Sequence, residues 1–295
     1  MRPLLPIPFA VALLLGGGAC ERNDKQAEEE VWSEDTVSTD TVSTDAGTTP
    51  SPVSILVYFA RGEKIGVATR LIPATKAVAS AAIRELLSGP TPEETRYGLG
   101  STIPTGTDLR GLTVHGGTAT VDLSDEYDSG GGVLSMTMRL AQVVYTLTQF
   151  PTVERVLFRI EGVPVTTLGG EGILIGTPQT RGDYEQVTPA ILLESPGPGD
   201  SVTSPLRIRG TANTFEAAFM VRIVSADDSV LVEAPMMATS GSGTRGTFDA
   251  EIPFPAAASG AGLLVVFEYS AKDGSPIHVV EIPLTFETAA SREAE

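Results

Sequence analysis

The sequence is poor in the residues on which most chemistry at neutral pH depends. It has a single cysteine, Cys20, two histidines, His115 and His278, and one tryptophan, Trp32. One cysteine excludes an intrachain disulfide and any cysteine-based metal cluster. The two histidines lie in different halves of the chain, and no serine-containing elbow stands beside either, so a hydrolytic triad has no base to use. Aromatic residues make up 6% of the chain, little material for the aromatic-lined clefts that small ligands usually occupy. Basic residues are also in the minority: 20 Lys and Arg against 37 Asp and Glu give a net charge of −17. A surface of that sign repels nucleic acid and anionic headgroups, because binding either relies on Lys and Arg. No nucleic-acid partner is expected.

What is present is apolar material for packed cores, 41% of 295 residues, in a chain longer than one ordinary domain. The charge is uneven. Residues 21–52 carry nine acids and two bases, residues 53–182 twelve and eleven, and residues 183–295 sixteen and six. The first 20 residues have a basic start at Arg2, an apolar core from Phe9 to Leu15, and small residues Gly16 to Ala19 before Cys20. That is the layout of a secretory signal, and its apolar run falls far short of the roughly 20 residues of a membrane-spanning helix. The segment resembles a bacterial lipoprotein signal, whose lipobox ends in the cysteine that receives diacylglycerol; Ala19 and Gly18 fit it, and Gly17 stands where the family usually has Leu. The resemblance implies lipid attachment at Cys20 and an extracytoplasmic, membrane-anchored protein. An ordinary cleaved signal is the other reading of the same residues.

Residues 21–52 include the repeat Asp35-Thr36-Val37-Ser38-Thr39-Asp40 and Thr41-Val42-Ser43-Thr44-Asp45. Few apolar side chains and high like charge predict a disordered, self-repelling tether. From residue 53 the character changes. Val53 to Ala60 and Lys64 to Ile72 read as strands around a turn at Arg61-Gly62-Glu63. A helix is expected from Thr75 to Ser88, with Thr75 as cap and Gly89-Pro90 as stop. Leu112 to His115 and Ala119 to Leu123 read as a hairpin, Val133 to Gln149 as a helix with one apolar face, and Val153 to Ile160 as a strand. Two helices and about five strands predict an α+β domain, helices on one face of a sheet, over residues 53–182. Residues 183–189 read as a linker. Beyond it, turn signals separate short strands at 191–194, 206–210, 218–224, 230–234, 246–252, 263–269 and 277–286. They predict an all-β immunoglobulin-like sandwich over residues 190–287, with 288–295 as a tail.

Leu86-Leu87-Ser88-Gly89-Pro90, Ile103-Pro104-Thr105-Gly106-Thr107, Ala119-Thr120-Val121-Asp122-Leu123-Ser124 and Tyr145 to Val153 resemble, in this order, the GerMN domain of sporulation and spore germination lipoproteins. Ser195-Pro196, Ser204-Pro205, Gly210-Thr211-Ala212, Phe215-Glu216-Ala217 and Ala271 to Ser275 are similar to the immunoglobulin-like domain of bacterial spore germination. The resemblance implies an envelope lipoprotein that assembles or stabilises extracytoplasmic complexes, and it supplies no catalytic residues.

Other candidates for chemistry have plain alternatives. Asp122, Asp125, Glu126 and Asp128 offer oxygens for calcium but lack the spacing and central glycine of an EF-hand loop, which favours a solvated turn. Ser129-Gly130-Gly131-Gly132 before the second helix offers amides to an anion, yet no Lys-Ser or Lys-Thr follows, and a flexible connection is expected. His115 and His278 are expected at the surface, and Phe215, Phe219, Phe248, Phe254 and Phe267 in the sandwich core. Trp32 falls in the tether. The reading is a non-catalytic, lipid-anchored envelope protein with no catalytic residue, cofactor or metal. Its expected partners are envelope proteins or cell-wall polymer, and the membrane through its lipid. The alternative is a sensor that binds a small molecule or glycan between its domains.

Overall fold

The computed structural model describes residues 51–170 and 172–288. Cys20, Trp32, the signal, the tether up to residue 50 and the tail from residue 289 lie outside the described residues. The β-branched runs form β1 (Val53–Arg61) and β2 (Lys64–Ile72), paired antiparallel from Val53 opposite Ile72 to Arg61 opposite Lys64. Gly62, with φ 60°, makes the tip of this hairpin.

α1 (Val78–Leu87) starts later than Thr75, whose hydroxyl instead accepts the Ala77 amide. A short α2 (Pro92–Arg96) was not anticipated, although Thr91-Pro92-Glu93-Glu94 carries its start signal: Thr91 and Glu94 form a capping box, and Pro92 takes the first turn. β3 (Leu99–Gly100) joins β1 on its other side. The hairpin of β4 (Leu109–His115) and β5 (Thr118–Leu123) is as expected, and α3 (Val133–Leu147) crosses over to β6 (Arg155–Ile160), which runs parallel to β5. β7 (Val163–Pro164), β8 (Thr167–Leu168) and β9 (Ile173–Leu174) follow. The sheets are ordered β2-β1-β3 and β4-β5-β6-β7, with β8 paired to β9.

Every residue of α3 from Met138 to Leu147 is buried, where the sequence pattern predicts one apolar face. The helix packs on β1, on β6, on α1 and on the turn that follows the domain, so its polar side chains are needed inside. Gln142 takes the Thr102 amide (3.0 Å) and hydroxyl (2.8 Å), and Thr146 takes the Tyr58 amide (3.2 Å). Gln149, just past the helix, bonds both the amide (2.8 Å) and the carbonyl (2.6 Å) of Leu56. Thr146 and Gln149 thus occupy an open edge of β1 where a neighbouring strand would otherwise pair.

The segment read as a linker is ordered. Arg181–Val187 forms a 3₁₀ turn that buries Tyr184 and Val187 in the same core as β1 and α3. Its two apolar side chains drive this, and the surrounding Glu, Gln and Thr had masked them in the sequence. β10 (Ile191–Ser195), β11 (Ser201–Val202), β12 (Leu206–Ala212), β13 (Ala218–Ser225), β14 (Val230–Met237), β15 (Gly246–Ile252), β16 (Gly260–Tyr269) and β17 (Pro276–Phe286) then form two sheets, β10-β12-β15 and β11-β17-β16-β13-β14. Between them lie Ile208, Phe219, Val221, Phe248, Leu264 and Phe286 with their neighbours. β10 serves both cores: Ile191 and Leu193 enter the sandwich, while Leu192 enters the core of the first domain.

Two of the five phenylalanines depart from expectation. Phe215 is 63% exposed, on a turn where Glu216 and Ala217 both take positive φ (54° and 60°). Phe267 is buried outside the sandwich core, beneath Arg222 (4.9 Å to the ring centre) and edge-on to Tyr269. Alternation along β16 causes the second departure, since Leu264 and Val266 face the sandwich core and Val265 and Phe267 the other side. Opposite Phe267, β17 carries a bulge: between the pairs Val266–Val280 and Glu268–Ile277 stand His278 and Val279. Both are exposed, and His278 has φ 53° and bonds Glu268 (3.1 Å).

These positions predict opposite outcomes for like substitutions. Phe248→Ala, at 5% exposure, is expected to cost about 3–5 kcal/mol in urea denaturation, whereas Phe215→Ser should stay within about 0.5 kcal/mol of the parent. Equal losses would contradict the assignment of Phe215 to the surface.

Candidate functional site at the junction of the two cores

Where the two cores meet, charged side chains converge on the 3₁₀ turn. Arg181 lies over the rings of Tyr58 and Tyr145, 5.2 and 4.7 Å from their centres. It donates to Glu194 on β10 (2.7 Å), to the Tyr58 hydroxyl (3.1 Å), to the Thr148 hydroxyl (2.8 Å) and to the Tyr145 carbonyl (3.3 Å). Tyr58 in turn donates to Glu194 at 2.5 Å. Burial, and after it the Glu194 carboxylate, holds the Tyr58 hydroxyl well above the ordinary tyrosine range despite Arg181 beside it. It therefore acts as a neutral donor. Burial works to lower the Arg181 guanidinium, and Tyr58 and Glu194 more than offset it.

A second clamp faces the same turn. Arg245 makes a two-pronged bond to Glu185, 2.9 Å on each oxygen, and reaches the Pro189 carbonyl at 2.8 Å. Asn213 adds a bond to Glu185 at 2.8 Å. The Arg245 bonds hold the Glu185 carboxyl below its ordinary value.

A pocket of about 660 Å³ opens beside the first clamp. Its wall includes Tyr58, Arg181 and Glu194 from the clamp, and Arg209, Thr211 and Asp249 from β12 and β15. A second cleft of about 510 Å³ is more aliphatic, with Ile65, Val67, Leu99 and Ile282 below Arg61 and Lys64. The first combines the greater volume with more charged and polar side chains on its wall, which makes it the candidate site.

The residues singled out in the sequence lie elsewhere. Asp122 accepts the Gly162 amide (2.9 Å) and Asp128 the Gly169 amide (2.6 Å), so each carboxylate fixes a turn from another part of the domain. Glu126 is held below its ordinary range chiefly by the Ser124 hydroxyl, and among the described residues no group of three or more His, Cys, Asp or Glu is placed to hold a metal. Gly130 and Gly131 take positive φ (57° and 99°), and the Gly130 carbonyl receives Arg139, which also bonds the Tyr127 and Thr102 carbonyls. The glycine run is thus tied to α3 by a buried guanidinium. His115 and His278 are exposed, on separate domains.

Residues 56–166 match the family model Germane, described as sporulation and spore germination, and residues 190–275 match Gmad2, the immunoglobulin-like domain of bacterial spore germination. The chain joins a Germane domain to a Gmad2 domain. The motif blocks that carried the resemblance fall within these two spans. No curated protein matches the chain. Among solved structures, the first GerMN domain of the sporulation protein GerM from Bacillus subtilis is 25% identical, covering 44% of this chain and 98% of its own, with a TM-score of 0.39. The tandem GerMN domains of the same protein are 17% identical over 69% of this chain and 62% of theirs, TM-score 0.38. A candidate lipoprotein of Clostridium perfringens is 21% identical over 47% of this chain and 93% of its own, TM-score 0.35.

Arg181, Tyr58, Glu194, Arg245 and Glu185 were not visible as a site in the sequence. They come from four segments, and Arg181 and Glu185 share the 3₁₀ turn that runs into residues 183–189, the stretch read as a linker. The only local signal was the pair Tyr184 and Val187, apolar residues out of place in a linker.

The depressed Glu185 carboxyl gives a pH prediction. Stability from a lowered carboxyl is fully present above the ordinary value of 4.5 and is lost as pH falls through the folded-state value. The difference in unfolding free energy between the parent and Glu185→Gln should therefore be constant near neutrality and shrink in acid below pH 4.5. A difference independent of pH would contradict the Arg245–Glu185 clamp.

Proposed function

We propose that this protein is an exported, lipid-anchored envelope module that brings together other envelope proteins or cell-wall polymer and performs no catalysis itself. The observation that carries the reading is the joining of Germane and Gmad2 domains by the Arg181–Glu194 and Arg245–Glu185 clamps, which present two surfaces from one body. Both families are described by sporulation or germination, and the signal-like start with Cys20 supports a place outside the cytoplasmic membrane. Among the described residues no helix is long and apolar enough to cross a membrane. Anchoring then falls to acyl chains on Cys20, which hold a protein stably when two are attached.

The test is crosslinking in living cells with a photoreactive residue at Leu174 on the Germane domain or at Phe215 on the Gmad2 domain, both exposed apolar positions. Deleting a domain is unsuitable, since Leu192 belongs to the Germane core. Reproducible adducts with envelope-assembly proteins or wall polymer are expected, and Cys20→Ser should move the protein from the membrane to the soluble fraction. Absence of adducts from both positions would overturn the assembly role, and membrane retention of Cys20→Ser would overturn the anchor.

A further inference from the structure

The junction pocket contains an arginine that makes no hydrogen bond or ion pair among the described residues. Arg209 is exposed on β12, opposite Asp249 on β15, yet Asp249 turns both carboxylate oxygens to Arg207 at 2.7 Å each. Among the described residues the Arg209 guanidinium makes no hydrogen bond and no ion pair. The other charges on the pocket wall are spent: Arg181 pairs with Glu194 at 2.7 Å, and Asp249 with Arg207. Among the described residues on this wall, Arg209 is thus the cation with no hydrogen-bonded partner, and it feels only the nearby charge of Asp249, in a chain whose net charge is −17.

Other groups on the same wall are also uncommitted. Glu194 receives Tyr58 and Arg181 on Oε1, and among the described residues Oε2 takes no bond. The Thr211 hydroxyl accepts from Arg245 at 3.3 Å and keeps its own proton to donate. The set is a planar guanidinium fork, a carboxylate oxygen and a hydroxyl, around about 660 Å³. A guanidinium fork matches a carboxylate in a two-pronged pair. A carboxylate acceptor and a hydroxyl match hydroxyl or amide groups. A multiply charged phosphate ligand is disfavoured, because among the described residues on this wall Arg209 is the one cation without a hydrogen-bonded partner. A purely apolar ligand would leave these polar groups desolvated and unpaired.

We propose that this pocket binds an acidic sugar unit of a cell-wall polymer, with Arg209 holding its carboxylate and Glu194 and Thr211 taking its hydroxyl and amide groups. The proposal deepens the reading above by naming the polymer's recognised unit, and it rests on that reading.

The probes are N-acetylmuramic acid and N-acetylglucosamine, which differ by a carboxylate-bearing arm, titrated into the purified protein by calorimetry. The acid should bind and the neutral sugar should bind at least about tenfold more weakly, about 1.4 kcal/mol. Arg209→Ser should remove that preference, and Arg209→Lys, which keeps the charge without the fork, should fall between. Lys272→Ser, an exposed loss of the same charge outside the pocket, should bind as the parent does. Among the described residues Arg209 makes no hydrogen bond or ion pair, and its charge interaction with Asp249 lies at the exposed surface, so all variants should melt close to the parent. Equal binding of the two sugars, no saturable binding of either, or unchanged binding by Arg209→Ser would each overturn the proposal. The assembly role would then stand or fall separately on the crosslinking at Leu174 and Phe215.

Discussion

The structure depends on β10, a strand whose alternate side chains belong to different cores. Period-two alternation sends Ile191 and Leu193 into the sandwich and leaves Leu192 facing the Germane core. Neither core is complete without this strand, so the two domains cannot separate without exposing apolar surface. Residues 181–187 cannot act as a hinge for the same reason, because Tyr184 and Val187 are packed beneath β1 and α3. The ion pairs then follow from the geometry. Arg181 in the turn pairs with Glu194 on β10, and Arg245 pairs with Glu185 in the turn, in a region where the approach of the cores leaves these charges only partly exposed.

Much of the fold was legible in the sequence where a single period dominated. β1, β2 and the β4–β5 hairpin follow from dense β-branched runs and glycine turns. The sandwich strands follow from alternation, as in β12. The sequence was less informative where a residue serves a distant partner. α3 is buried on all sides from Met138 to Leu147, where Gln142 and Thr146 pair with backbone far away in the chain, and no helical period encodes that. Phe215 looked like core by residue type, but positive φ at Glu216 and Ala217 turns it outward. The candidate site was the least legible part, being assembled from Tyr58, Arg181, Glu194 and Arg209 across most of the described chain.

The distribution of charge links the fold to its use. The strongly acidic stretches lie in residues 21–52 and 183–295, while the junction gathers arginines that are either neutralised within the fold or, in Arg209, left to the pocket. The proposed binding of a polymer unit and of protein surfaces draws on a polar pocket where the two cores meet and on exposed apolar side chains such as Leu174 and Phe215 on separate domains. A flexible pair of domains would change the relation between these positions with each movement of the linker.

The most direct test of the fused architecture is differential scanning calorimetry of the purified protein. Shared use of β10 predicts one cooperative transition whose calorimetric and van't Hoff enthalpies agree. Two resolved transitions, or a calorimetric enthalpy well above the van't Hoff value, would show that the domains unfold independently and would contradict the account.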